Sequence, residues 1–318
     1  MGTTITRQYV DELFSKPLLE LVFTAATVHR EYHDPRRVQR SQLISIKTGG
    51  CPEDCGYCSQ SARYAGGAEK DVLMATEAVL LDARRAREEG AERFCMGAAW
   101  RSVRDGEEFD RVIQMVRGVK ELGLEACATL GMLSPDQALR LEEAGLDYYN
   151  HNIDTGRSHY EKVVSTHGYD DRLKTLQAVR DAGIKVCCGG ILGIGETRSA
   201  RAEMVFDLAT MDPVPESIPI NQLVPIEGTP MASNDLVDWT EVVRTIAVAR
   251  ICIPKTWLRL SAGRRELGEA AQAMCFMAGA NSMFVGDKLL TTDNPAFEDD
   301  RALMEKLGML FPHASKTV

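Results

Sequence analysis

No run in the 318-residue chain approaches the about 18 uninterrupted apolar residues that a membrane span needs. The first residues, MGTTITRQYVDELF, hold no apolar stretch of the kind that a secretory signal carries. An excess of basic residues is also lacking: 37 Lys and Arg stand against 46 Asp and Glu, a net charge of −9. That balance argues against a surface built for nucleic acid or acidic membrane. Linkers, low-complexity segments and a second-domain boundary are missing too. One large unit remains, with 44% hydrophobic residues to supply its core. The cytoplasm is the expected location.

Cysteine, by contrast, is plentiful, at positions 51, 55, 58, 95, 127, 187, 188, 252 and 275. An odd count in a long chain without a secretory signal does not read as a disulfide framework; metal binding or catalysis fits better. Cys51, Cys55 and Cys58 lie in KTGGCPEDCGYCSQSARY with the spacing CxxxCxxC, and the next cysteine is far off at Cys95. Structural zinc normally uses paired CxxC knuckles and closes all four positions. Three thiolates suit a cubane iron–sulfur cluster with one iron left open. A zinc loop completed by a histidine or aspartate elsewhere is the alternative. Tyr57, just before the third cysteine, sets an aromatic face beside the site.

Short β-rich runs alternate with amphipathic helical patterns along the chain. The strands are expected at 43–49, 93–99, 124–131, 147–154, 185–192, 217–224, 257–263 and 282–287. Several units end a helix on glycine and step straight into a strand, as in EEGAERF, ELGLEAC, EAGLDYY and DAGIKVC, where glycine suits a left-handed C-cap. Strands joined by helical crossovers make a parallel sheet, and this number of units predicts an α/β fold, a (β/α)8 TIM-type barrel. The alternative, an open doubly wound sheet, usually carries GxGxxG after its first strand, which is missing here. A helical extension is expected over about 1–38, the barrel over about 39–293, and a C-terminal helix and tail over about 294–318, all one domain.

Alternation along each strand sorts the side chains into two faces. Leu124, Ala126, Ala128 and Leu130 form an apolar set that belongs under the helices, which turns Glu125, Cys127 and Thr129 inward. By the same parity Ile184, Val186 and Cys188 face the helices, while Lys185, Cys187 and Gly189 face the lumen. Arg259 and Ser261 point inward, and Tyr148, Asn150, Asn152 and Asp154 share a face. A barrel interior is ordinarily filled with Val, Ile and Leu. Unpaired buried polar groups cost free energy, so a lumen this polar implies a polar ligand or cofactor. A single buried cysteine is usually just a small hydrophobe; the joint inward placement of Cys95, Cys127 and Cys187 argues otherwise. Cys188, Cys252 and Cys275 read as packing.

CPEDCGYCSQSARY, RFCMGAAW, LEACATLG, GLDYYNHNIDT, GIKVCCGGILGIGET, SIPINQLVPIEGTP and RLSAGR, in that order from about residue 12 to 293, resemble the sulfur-inserting branch of the radical S-adenosylmethionine superfamily. The resemblance implies that Cys51, Cys55 and Cys58 hold a 4Fe-4S cluster whose open iron chelates S-adenosylmethionine, source of a 5′-deoxyadenosyl radical. It implies that Cys95, Cys127 and Cys187 hold a 2Fe-2S cluster with Arg259 as fourth ligand, and that this cluster supplies the sulfur. Tyr57, Asn150, Asp154, Arg172 and Ile191 match positions around S-adenosylmethionine. Asn152 and Asn221 match those around the ureido ring of the substrate, dethiobiotin, and Thr291 and Thr292 those around its carboxylate. Two S-adenosylmethionine per turnover, a flavodoxin or ferredoxin reducing system, iron–sulfur assembly machinery and a homodimer are further implications. Departures are few: Ser59 stands where proline is common, Cys188 where a small residue is frequent, and the C-terminal tail is short.

Overall fold

A computed structural model describes residues 4–65 and 67–310. Helices α1 (Arg7–Ser15) and α2 (Leu18–Tyr32) form the expected N-terminal extension. The barrel follows as β1 (Gln39–Lys47), α3 (Thr76–Glu88), β2 (Arg93–Ala98), α4 (Glu107–Glu121), β3 (Glu125–Thr129), α5 (Pro135–Glu143) and β4 (Tyr148–Asn150). It continues through α6 (Arg157–Tyr160), α7 (Tyr169–Asp181), β5 (Lys185–Cys187), β6 (Gly190–Leu192), α8 (Arg198–Thr210), β7 (Ser217–Gln222) and α9 (Trp239–Cys252). It ends with β8 (Trp257–Leu260), α10 (Arg264–Met277) and β9 (Ser282–Val285). A small hairpin, β10 (Lys288–Leu289) with β11 (Thr292–Asp293), and α11 (Phe297–Lys306) complete the described residues. The short tail beyond residue 310 lies outside them.

All barrel pairings are parallel, and β1 pairs with both β2 and β9, so the sheet closes. An open doubly wound sheet is thereby excluded. Strands β5 and β6 both pair with β7 and are successive pieces of one staggered strand, so the nine strands fill eight positions. The extension packs across α8 and α9.

Two separate packing regions result from the two strand faces. The large one, between strands and helices, takes Ala126, Ala128, Val186, Cys188, Leu258 and Leu260, along with Cys252 and Cys275. The inner one gathers Cys95, Cys127, Cys187, Tyr148, Phe284 and Leu289. Cys187 and Cys188 thus sit on opposite sides of the sheet.

The boundaries differ from expectation in places. Strand β1 starts at Gln39, earlier than expected, because its polar first half faces a polar lumen and shows no hydrophobic alternation. The run 147–154 is strand only over Tyr148–Asn150. Lys185, expected inside, is exposed: it opens β5 at the barrel's N-terminal end, where its ammonium reaches solvent 5.4 Å from the Tyr148 ring.

Candidate functional site

The CxxxCxxC loop leaves β1 at the C-terminal end of the barrel, where βα loops build sites. Its sharp exit runs through Gly49, at φ 65°, where a Cβ would stand only 2.4 Å from the Glu69 carbonyl oxygen. Backbone bonds then wrap the cysteines: Cys51 N–H to Gln60 O at 2.9 Å, Ala62 N–H to Cys51 O at 2.7 Å and Cys58 N–H to Cys55 O at 2.9 Å. Burial raises the pKa of all three thiols, that of Cys58 to about 11. Such thiols become thiolates when a cation binds them. Among the described residues, no group of three His, Cys, Asp or Glu side chains is arranged to hold a single metal ion.

One cavity of about 330 Å³ adjoins this loop and runs down the lumen, a size that suits a small-molecule site. Cys58, Tyr57, Cys95, Cys127, Cys187, Arg259, Asn150, Asn152, Asp154, Arg172, Ile191, Asn221, Thr291 and Thr292 all line it. Cys51 and Cys55 are not on its wall; they lie in the loop beside it.

Deep in the lumen the strand register sets Cys95 opposite Cys127 and Asn150 opposite Cys187. The Cys127 thiol is hydrogen-bonded to Cys95. That bond, and burial after it, raise the pKa of Cys127. Burial would raise Cys95 as well, but the same hydrogen bond and the charges of Arg259 and Arg93 bring it below the usual thiol value. Asn150 Nδ2 lies 3.3 Å and Arg259 Nη1 3.7 Å from Cys187 Sγ. Arg259 is buried, with Nε on Ser282 Oγ at 3.0 Å and Nη2 on Gln39 Oε1 at 3.4 Å. Among the described residues no carboxylate forms an ion pair with it.

Ser41, Arg93 and Ser217 stand one step below on the inward face, two residues before Leu43, Cys95 and Pro219, which line the cavity. All three residues are fully buried, and Ser41 Oγ, Arg93 Nη1 and Ser217 Oγ have no hydrogen-bond partner among the described residues. Buried donors of this kind are normally satisfied. Here they lie on the same inward face as Cys95, Cys127, Cys187 and Arg259, with Ser217 level with Cys187 in the sheet register. The donor set fits an anionic group with sulfur acceptors.

Nearer the mouth, Arg172 Nη2 pairs with Asp154 Oδ2 at 3.2 Å, and its Nε donates to Tyr160 Oη at 2.9 Å. Asp154 is buried and sits at φ 64°, the left-handed region that aspartate tolerates better than most residues. Burial raises its pKa, with Arg172 opposing. The chain beside it approaches closely: Ile191 N–H donates to Asp154 O at 2.7 Å, and a Cβ on Gly190 would meet that oxygen at 2.5 Å. Asn152 Oδ1 accepts from Gly189 N–H at 3.0 Å, and Asn221 Nδ2 donates to Gly190 O at 3.0 Å while its Oδ1 accepts from Ala262 N–H at 3.2 Å. The hairpin closes over this end: Thr291 Oγ1 is 2.8 Å from Ser59 Oγ, whereas the Thr292 hydroxyl donates to Leu289 O at 3.1 Å.

His151 was not foreseen. It lines the cavity, is buried, and its Nε2 has no partner among the described residues; burial pushes its pKa well down. The alternation that groups Tyr148, Asn150, Asn152 and Asp154 leaves His151 out of that set, but the strand stops at Asn150 and the alternation stops with it. Gln60, Trp100 and Leu290 also line the cavity, and nothing in their spacing marked them.

Residues 45–208 match the model of the Radical SAM superfamily, and residues 219–310 match the Biotin and Thiamin Synthesis associated domain. The chain is 57% identical over 304 residues to a protein named biotin synthase from Ralstonia nicotianae, covering 96% of this chain and 84% of that one. It is 59% identical over 297 residues to one of the same name from Acidiphilium cryptum, covering 93% and 91%. Among solved structures, methylornithine synthase superposes with a TM-score of 0.79 at 20% identity, over 97% of this chain and 94% of that chain. The FeFe-hydrogenase maturase HydG from Carboxydothermus hydrogenoformans superposes at 0.80 with 14% identity, over 96% and 75%. At those identities the likeness speaks for the fold.

Proposed function

The chain belongs to the biotin synthase family within the radical SAM superfamily, and we propose that it carries out that family's reaction with the residues gathered here. Sulfur is inserted between the methyl carbon and the ring-adjacent methylene of dethiobiotin, giving biotin. Cys51, Cys55 and Cys58 hold a 4Fe-4S cluster; Cys95, Cys127, Cys187 and Arg259 hold a 2Fe-2S cluster that serves as sulfur donor. The first cluster, when bound, supplies the electron that cleaves S-adenosylmethionine to a carbon radical, chemistry that no side chain provides.

The protein's own part is positioning. Arg172 and Asp154 bind the polar groups of S-adenosylmethionine, with Asn150 and the aromatic face of Tyr57 nearby, while Ile191 gives the adenine an apolar wall. Asn152 and Asn221 offer amide donors and acceptors that match a urea, and Thr291 and Thr292 receive the substrate carboxylate at the hairpin. A homodimer fed by a flavodoxin or ferredoxin system completes the proposal, on the family resemblance alone.

The observation that carries the reading is the buried Arg259 guanidinium, held beside Cys187 with no carboxylate partner among the described residues. An unpaired buried cation is costly, and an anionic cluster ligated by three thiolates removes that cost. The test is anaerobic reconstitution with iron and sulfide, then addition of a reductant, S-adenosylmethionine and dethiobiotin. Mass spectrometry should find 5′-deoxyadenosine and biotin together. Deoxyadenosine without biotin sinks the substrate assignment. Neither product, with the cubane spectrum present, sinks the radical chemistry.

A further inference from the structure

Between the first two cysteines stand Glu53 and Asp54, and neither lines the cavity. Both reach the other way, to one remote segment, residues 163–167. The Glu53 carboxylate is buried and accepts from His167 Nδ1 at 2.7 Å and from the Thr166 hydroxyl; Arg101 Nη1 pairs with its other oxygen at 3.0 Å. Asp54 Oδ1 accepts from the backbone N–H groups of Ser165 at 2.9 Å and Thr166 at 3.1 Å, and its Oδ2 accepts from the Ser165 hydroxyl. Arg101 Nη1 also donates to Thr166 O at 3.0 Å, and Gly56 N–H donates to Val163 O at 2.8 Å.

The far side of this contact is not passive. Residues 163–167 lead through Gly168 into α7, which carries Arg172, the partner of Asp154. A short stretch of chain therefore joins the cysteine loop to the cation at the cavity mouth. The loop has little regular structure of its own, so its shape depends on what holds it from outside. Charge-assisted bonds from carboxylate to backbone N–H are among the stronger ones available for that purpose.

We infer that Glu53 and Asp54 are positioning residues, a two-carboxylate clamp that locks the Cys51–Cys58 loop to residues 163–167. The clamp holds the three cysteines and Arg172 at one spacing, whether or not a cluster is present. The inference rests on the proposed role of these cysteines as ligands of the 4Fe-4S cluster. Arg101 belongs to it as the cation paired with the buried Glu53 carboxylate, and His167 as a hydrogen-bond partner of the same carboxylate.

Its test uses the Glu53→Gln/Asp54→Asn double variant of the full chain. In the cluster-free protein, hydrogen exchange at the amides of Gly56, Ser165 and Thr166 should speed up at least tenfold, while the amides of β2 and β3 exchange as in the parent. In the anaerobically reconstituted protein, an iron chelator should strip the 4Fe-4S cluster at least tenfold faster, with the 2Fe-2S absorbance lost at the parental rate. The KM for S-adenosylmethionine should rise at least fivefold, with kcat per remaining 4Fe-4S cluster within twofold. Both clusters lost equally fast, or exchange raised throughout the barrel, means general destabilisation and overturns the clamp. Unchanged exchange at the three amides overturns it as well. A parent protein that takes up no 4Fe-4S cluster defeats the proposed function instead, and the exchange measurement still decides the clamp.

Discussion

Replacing each of the adjacent cysteines Cys187 and Cys188 by serine tests the division of labour between the two faces of one strand. Cys188 is buried in the layer between strands and helices, packed with residues such as Val186 and Leu192. A hydroxyl there loses hydrogen bonds to water, and the one backbone N–H beside it, that of Ile153, already donates to Gly189 O at 3.1 Å, so the exchange costs about 1–3 kcal/mol. For a chain of 318 residues that is a melting-temperature drop of roughly 2–5 °C. The cluster pocket on the other face is untouched, so 2Fe-2S absorbance, iron and sulfide per chain should match the parent. Cys187 gives the reverse pattern. Its sulfur already has donors, Asn150 Nδ2 at 3.3 Å and Arg259 Nη1 at 3.7 Å, so a serine oxygen is accommodated and the cluster-free protein should lose under about 1 kcal/mol. The thiolate, however, is gone, and 2Fe-2S absorbance after reconstitution should be weak or absent. Calorimetry on the cluster-free chains and visible spectra on the reconstituted ones read both quantities. Loss of the 2Fe-2S signal from Cys188→Ser with retention in Cys187→Ser would refute the strand-parity argument. Retention in both would remove Cys187 from the ligand set.

Three further outcomes follow from the geometry. Asp154→Asn keeps a side chain suited to positive φ but breaks the buried pair with Arg172, a loss of about 3–5 kcal/mol; weaker S-adenosylmethionine binding with a lower melting temperature should appear in titration calorimetry and thermal unfolding, and unchanged binding would contradict the assigned role. Gly190→Ala would set a Cβ 2.2 Å from Met204 Sδ and 2.5 Å from Asp154 O, and overpacking of this kind costs about 1–3 kcal/mol or more, so denaturant midpoints should fall and a neutral effect would refute the close approach. His29 is buried, and burial, with Arg250 beside it, lowers its pKa from 6.5 to about 3. The unfolded chain therefore binds a proton that the folded chain refuses, so stability falls as pH drops from about 6.5 toward about 3. His29→Gln should flatten that part of the stability profile, and an unchanged slope would show that other groups set it.

The strands that could be read directly were those with one apolar and one polar face. In β3, Ala126 and Ala128 alternate with Cys127 and Thr129, and the structure sends the first pair to the helices and the second to the lumen. Where alternation failed, so did the boundary. Gln39 and Ser41 open β1 with polar side chains because the lumen itself is polar, and a polar lumen erases the contrast on which periodicity depends. His151 was missed for a related reason. Parity holds only along a strand, and once the chain leaves β4 at Asn150 the direction of a side chain is set by its neighbours. The Glu53 and Asp54 contacts were invisible too, since Ser165, Thr166 and His167 lie more than a hundred positions away.

By itself the sequence determined the alternation of strand and helix, the three-cysteine loop after β1, and which face of each regular strand carries thiol, amide or guanidinium. These follow from local covalent geometry, which repeats every two residues in a strand. Closure of β1 onto β9, the gathering of Cys95, Cys127, Cys187 and Arg259 into one space, and the bracing of the cysteine loop by residues 163–167 were decided only by the tertiary structure. Each of these is a contact between distant segments, and a contact forms where burial, charge and hydrogen-bond demand are satisfied together in three dimensions.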